Sequence, residues 1–130
     1  MARVPSEFHD LFEKQTFAHF VTCRDDGTPH VTPVWIDYDA DADRLLVNTE
    51  RDRQKTRNAE ADPNVALSMT DPDDPYRFCS VTGTVEEVTI EGAREHIDEL
   101  SHRYTGEDYG LPIQSERVII RIRPDDVLHS

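Results

Sequence analysis

Lysine is almost missing from this sequence: of its 14 basic residues only Lys14 and Lys55 are lysines, and the rest are arginine. Against them stand 27 acidic residues, for a formal net charge of −13. A surface this negative repels nucleic acid and anionic membrane, so neither is an expected partner. Abundant Asp and Glu with so little Lys, as in the run DPDD at 71–74, fits a salt-adapted surface and a halophilic microbial source.

Long apolar runs are absent as well. No stretch approaches the roughly 20 residues that cross a bilayer as a helix. The opening MARVPSEFHD lacks the apolar core of a secretory signal, so the expectation is a cytoplasmic protein. The two cysteines, Cys23 and Cys79, have no metal-type spacing, and each lies in an apolar, strand-like run. Both read as small buried hydrophobes, and an intracellular chain argues against a disulfide between them. No Gly-x-Gly-x-x-Gly, P-loop or Gly-x-Ser-x-Gly elbow is present. His9, His19, His30, His96, His102 and His129 show no ligand spacing with carboxylates and read as surface polar residues. Neither a protein-borne nucleophile nor a general acid stands out.

What remains is one domain's worth of chain, 1–130, with no repeat or linker. Residues 5–16 predict a helix, with Phe8, Leu11 and Phe12 as its apolar stripe. Strands are predicted over 17–24, 28–38, 44–49, 64–70, 76–88 and 117–123. Asp25-Asp26-Gly27 marks a turn, and Pro29 and Pro33 place the second strand at an edge or a break in pairing. Gly83 suggests a bulge, and Pro124 stops the last strand. Helices are predicted over 50–60 and over 90–104, the latter with Ile90, Ala93, Ile97 and Leu100 facing inward. This order does not alternate as a parallel fold would, so the fold class is mainly β: six antiparallel strands closing into a small barrel with a few helices.

The informative segment is RDRQKTR, 51–57, which holds four basic residues in seven positions. It occupies the first turns of a predicted helix, after the possible caps Asn48 and Thr49. Cations are unfavourable at a helix N-terminus, and Arg51 with Lys55 and Arg53 with Arg57 are like-charge i, i+4 pairs. Free helix N–H groups with converging Arg and Lys are what a bound phosphate requires. The competing reading is that these side chains pair with acidic neighbours. The nearby Thr32 and Trp35, with Asn48 and Thr49, offer hydrogen bonds and an aromatic wall to a flat ring, although Trp35 equally suits core packing.

DDGTPHVTPVW, LLVNT, RDRQKTRN, DPNVALS and YRFCSVTGTVEEV, in that order, resemble the flavin-binding split-barrel superfamily around pyridoxamine 5'-phosphate oxidase, and within it the short branch of F-420-dependent oxidoreductases. The resemblance runs from about residue 11 to residue 124. It implies a six-stranded split barrel, a homodimer with cofactor sites at the subunit interface, and coenzyme F-420 (a deazaflavin) or FMN as cofactor. It further implies that His30, Val31, Thr32, Pro33, Val34 and Trp35 run along the ring, that Asn48 and Thr49 touch the cofactor, and that Arg53, Lys55 and Thr56 hold its phosphate. Tyr76, Arg77 and Phe78 resemble the stretch a second subunit contributes. Gln54 separates Arg53 from Lys55, where pyridoxamine 5'-phosphate oxidase itself has adjacent basic residues, and no counterpart of its C-terminal substrate motif follows Pro124. The implied activity is hydride transfer to or from a small unsaturated or quinone-like substrate. A non-catalytic flavin carrier, or a haem-handling relative with His19 or His30 as axial ligand, is the alternative.

Overall fold

The computed structural model describes residues 3–130. The chain opens with a 3-10 helix, Ser6–Phe12, which is shorter and tighter than the helix expected over 5–16. At three residues per turn Phe8 and Leu11 align, and with Phe12 they are buried against the sheet. Seven strands follow: β1 (Phe17–Cys23), β2 (Pro29–Trp35), β3 (Asp37–Asp39), β4 (Arg44–Glu50), β5 (Asn64–Asp71), β6 (Asp74–Thr89) and β7 (Arg117–His129). Helix α1 (Gln54–Ala61) lies between β4 and β5, and α2 (Ala93–Thr105) between β6 and β7. All pairings are antiparallel, in the order β2-β1-β5-β6-β7-β4-β3.

The count of seven corrects the expected six. The strand anticipated over 28–38 breaks at Ile36, and its halves become the two opposite edges of the sheet. A single residue thus turns the corner of the half-barrel. Ile36 loses its ladder there, and α2 restores its hydrogen bonds: the Tyr104 hydroxyl accepts from its N–H at 3.1 Å, and Arg103 donates to its carbonyl at 2.6 Å. The same Tyr104 hydroxyl donates to the Thr16 carbonyl at the start of β1. The prolines of β2 sit, as expected, in an edge strand.

Alternating residues of each strand fill the interior, among them Ala18 and Phe20 of β1, Leu67 and Met69 of β5, and Ile120 and Ile122 of β7. Cys79 is buried among them, and neither cysteine is in a disulfide.

Three further expectations change, while the bulge expected at Gly83 is present. Pro124 does not end β7, which continues to His129. The register of β6 shifts at Thr82/Gly83, where Gly83 faces Pro124, and a bulge is where a ladder tolerates a residue without an N–H. The bulge also explains the glycine: a Cβ on Gly83 would stand 2.6 Å from the Arg123 carbonyl oxygen. Ile90 precedes α2 and is exposed rather than inward-facing, whereas Ala93, Ile97 and Leu100 are buried. Finally, α1 begins only at Gln54, so Asn48 and Thr49 belong to β4 and cap nothing.

Candidate functional site

The late start of α1 changes what the basic segment does. Arg51 lies outside the helix and pairs with Glu116 at 3.2 Å and Glu60 at 3.4 Å, as the competing reading anticipated. Arg57 is held within its own turn by the Asp52 carbonyl and Gln54. Arg53 occupies the N-cap position, and Lys55 the first turn. Among the described residues neither forms an ion pair, and both border the same cleft, of about 310 Å³.

One wall of that cleft is the end of β2, through Pro33, Val34 and Trp35; Asn48 and Thr49 of β4 contribute the base. Seven of the residues expected at the site therefore meet. The other five do not line the cleft. Val31 is exposed at the sheet edge. His30 Nδ1 and Thr32 Oγ1, from the same strand, are buried with no hydrogen-bond partner. Thr56 is fully buried and donates to the Glu50 carbonyl at 2.6 Å, which ties the start of α1 to the end of β4. Arg77 is held at 2.8 Å by both Asp10 and Asp71, tying β6 to the N-terminal 3-10 helix.

Sequence reasoning missed the rest of the lining. Phe17 lies beside Trp35 across the β1–β2 ladder, Ile97, Tyr109 and Leu111 complete the apolar surface, and Arg117 at the start of β7 adds a third cation. Antiparallel pairing of β4 with β7 sets Arg117 beside Glu50, a relation no local pattern reveals. Tyr109 and Leu111 come from the connection after α2, whose course is fixed at both ends. Asp98 accepts from the Tyr109 N–H at 3.0 Å, and the buried Glu50 carboxylate accepts from the N–H groups of Gln114 and Ser115 at 3.0 and 2.7 Å. Burial opposes ionisation of Glu50, but those N–H donors outweigh it and hold its carboxyl below the usual value. Trp35 stacks on Tyr104, with ring centroids 4.8 Å apart and planes 8° from parallel, and meets Tyr109 edge-on. It is half-buried and serves as wall rather than core.

Like charges crowd the cleft. Burial lowers the pKa of Lys55, and the nearby charges of Arg53 and Arg117 lower it further. Arg117 is lowered as well, chiefly by burial, and its guanidinium lies over the Tyr109 ring at 5.0 Å. Its one carboxylate contact, Glu50, is at 3.6 Å. Partly buried like charges destabilise one another unless an opposite charge arrives. No histidine lines the cleft, and His19 projects from β1 on the exposed face of the sheet.

Residues 4–130 match the model of the pyridoxamine 5'-phosphate oxidase family. The chain belongs to this family. Among solved structures of similar fold, an F-420 reductase is 35% identical, with 96% of this chain and 98% of that one covered and a TM-score of 0.82. A conserved hypothetical protein from Mycobacterium tuberculosis is 23% identical over 98% of this chain and 84% of that one, with a TM-score of 0.72. The haem storage protein HutZ from Vibrio cholerae is 13% identical over 98% and 95%, with a TM-score of 0.67. The last two are likenesses of fold alone. No match was found among curated proteins. Within the family, then, this chain keeps the half-barrel and carries a cleft with three cations. No helix of the described residues is long and apolar enough to cross a membrane.

Proposed function

We propose that the protein is a flavin-type oxidoreductase that uses coenzyme F-420 or FMN to transfer a hydride to or from a small unsaturated or quinone-like substrate. One observation carries this reading: in a chain of net charge −13, Arg53, Lys55 and Arg117 gather on a single cleft beside the ring of Trp35. The family and its 35%-identical F-420 reductase support it.

The residues present fit such a group. Arg53 and Lys55 take the phosphate, each as a charge-assisted hydrogen-bond donor. Asn48 and Thr49, with Pro33, Val34 and Trp35 of β2, would hold the ring, and the unpartnered Thr32 Oγ1 and His30 Nδ1 lie further along the same strand, outside the cleft. The cofactor, when bound, supplies the hydride-transferring carbon or nitrogen. The polypeptide orients it, keeps water out with Trp35, Tyr109 and Leu111, and offsets its negative charge. Thr56 acts indirectly, by holding α1 in place.

The working unit is a homodimer. The outer face of the sheet carries a continuous row of small and apolar residues: Val31 lies across from Val21, Val21 from Ala66, and Ala66 from Thr82. Leu128 lies across from Ser80 in the adjacent row, and Val31, Tyr76 and Leu128 are exposed apolar groups on this side of the molecule. Such a face lets a second copy approach closely.

Titration of the purified protein with each cofactor at high salt, followed by fluorescence, tests the reading. Saturable binding of F-420 or FMN is expected; binding of neither overturns it.

A further inference from the structure

Asn48 spends its whole amide on three partners. Its Nδ2 donates to the Ala93 carbonyl at 2.8 Å, and its Oδ1 accepts from Arg117 Nε at 2.9 Å. A carbonyl only accepts and a guanidinium only donates, so these two contacts fix which way the amide points. Its remaining hydrogen faces His96 Nδ1 at 3.1 Å. That nitrogen must therefore be the acceptor, and the ring proton must sit on Nε2, which points at Asp37 Oδ2 at 2.9 Å. Asp37 is itself gripped by Arg103 at 2.7 Å. Burial works against the Asp37 charge, yet the bonds from His96 and Arg103 prevail and keep its carboxyl below the ordinary value. Donor and acceptor are thereby assigned at every step from α2 to the cleft.

We infer that His96 is a positioning residue: acting through Asn48, it holds the Arg117 guanidinium in the cleft at the angle at which its terminal nitrogens meet an anion. His96 is itself buried and does not line the cleft. Its effect is orientation, because Arg117 Nε is committed to Asn48 and only the terminal nitrogens stay free for Glu50 and the ligand. The inference rests on the anion-site reading for its functional meaning, and on geometry alone for its mechanical part.

Two substitutions separate the halves of the imidazole. His96→Asn places an amide oxygen close to the former Nδ1, so it keeps the acceptor for Asn48 and gives up Asp37. His96→Gln places its amide near the former Nε2, keeps Asp37, and leaves Asn48 with an unpaired hydrogen. In the 15N-labelled full chain without ligand, the His96 ring should show an unprotonated Nδ1 and a protonated Nε2. The Arg117 Nε–H resonance should survive in His96→Asn and shift or broaden in His96→Gln. Titration with FMN and, separately, F-420 should then show affinity near that of the parent for His96→Asn and a loss of about tenfold for His96→Gln, as for one hydrogen bond to a charged group. A protonated Nδ1, or two variants alike in the Arg117 resonance, overturns the inference. Should the parent bind neither cofactor, the proposed function falls, while the Arg117 resonance still decides the role of His96.

Discussion

Lys55 is a half-buried cation that shares its cleft with two more, Arg53 and Arg117. Replacing it with alanine should weaken F-420 or FMN binding at least about tenfold, the worth of one charge-assisted hydrogen bond. Because its pKa is lowered in the free protein, its charge, and the affinity that depends on it, should fade as pH rises, at a lower pH than for an ordinary lysine. A titration series from neutral to alkaline pH checks this; affinity flat through that range would remove Lys55 from the anion site. The local pattern RDRQKTR was enough to mark the segment containing Arg53 and Lys55, because so few positive charges exist in this chain that clustering them is itself a signal. It could not separate them from Arg51 and Arg57, since that depends on where the helix begins. His96 was legible in principle: it shares the buried face of α2 with Ala93 and Leu100, at helical spacing, but a polar residue there reads by default as surface. Arg117 was not legible, because its place depends on the pairing of two strands more than sixty residues apart.

At the scale of elements, the corner at Ile36 depends on α2. Tyr104→Phe removes the hydroxyl that serves both the Ile36 N–H and the Thr16 carbonyl, and should cost about 1–3 kcal/mol for the buried groups left unpaired. Chemical denaturation measures it, and a cost near zero would mean the corner is held otherwise. Gly83→Ala should also destabilise, by about 1–3 kcal/mol, since the neighbour of the new Cβ is backbone and cannot swing aside. Strand positions were readable from alternation almost to the residue, as in β1 and β5, where every second side chain is buried. Breaks were harder to place. A proline that ends a strand and one accommodated by a bulge look the same until the partner strand is known, which is why β7 runs past Pro124.

For the whole molecule, self-repulsion among the excess acidic groups should make stability rise with salt. Melting temperature measured against KCl tests the salt-adapted surface, and full stability in dilute buffer would argue against it. At the acid end, Asp71 accepts from the Asp73 N–H and pairs with Lys14 and Arg77, bonds that bring its pKa down to about 2. A depressed carboxylate contributes stability above its unfolded value, and that contribution disappears as pH falls through the folded one. Asp71→Asn should therefore flatten the decline of stability between about pH 4 and pH 2. The mainly β class could be read from strand order, but that order suggested six strands closing on themselves, where the sheet has seven and two free edges, β2 and β3. The cleft could not be read, since part of its lining comes from a connection with no periodic pattern.

That connection is fastened at both ends, by Asp98 and His102 at its start and by Glu50 at its finish, and the span between them, residues 110–113, contributes nothing to the barrel's core. Evolution or a designer can rewrite those positions without touching the buried core. Libraries confined to them would reshape the mouth of the cleft at Leu111, leaving the scaffold and the three cations as inherited.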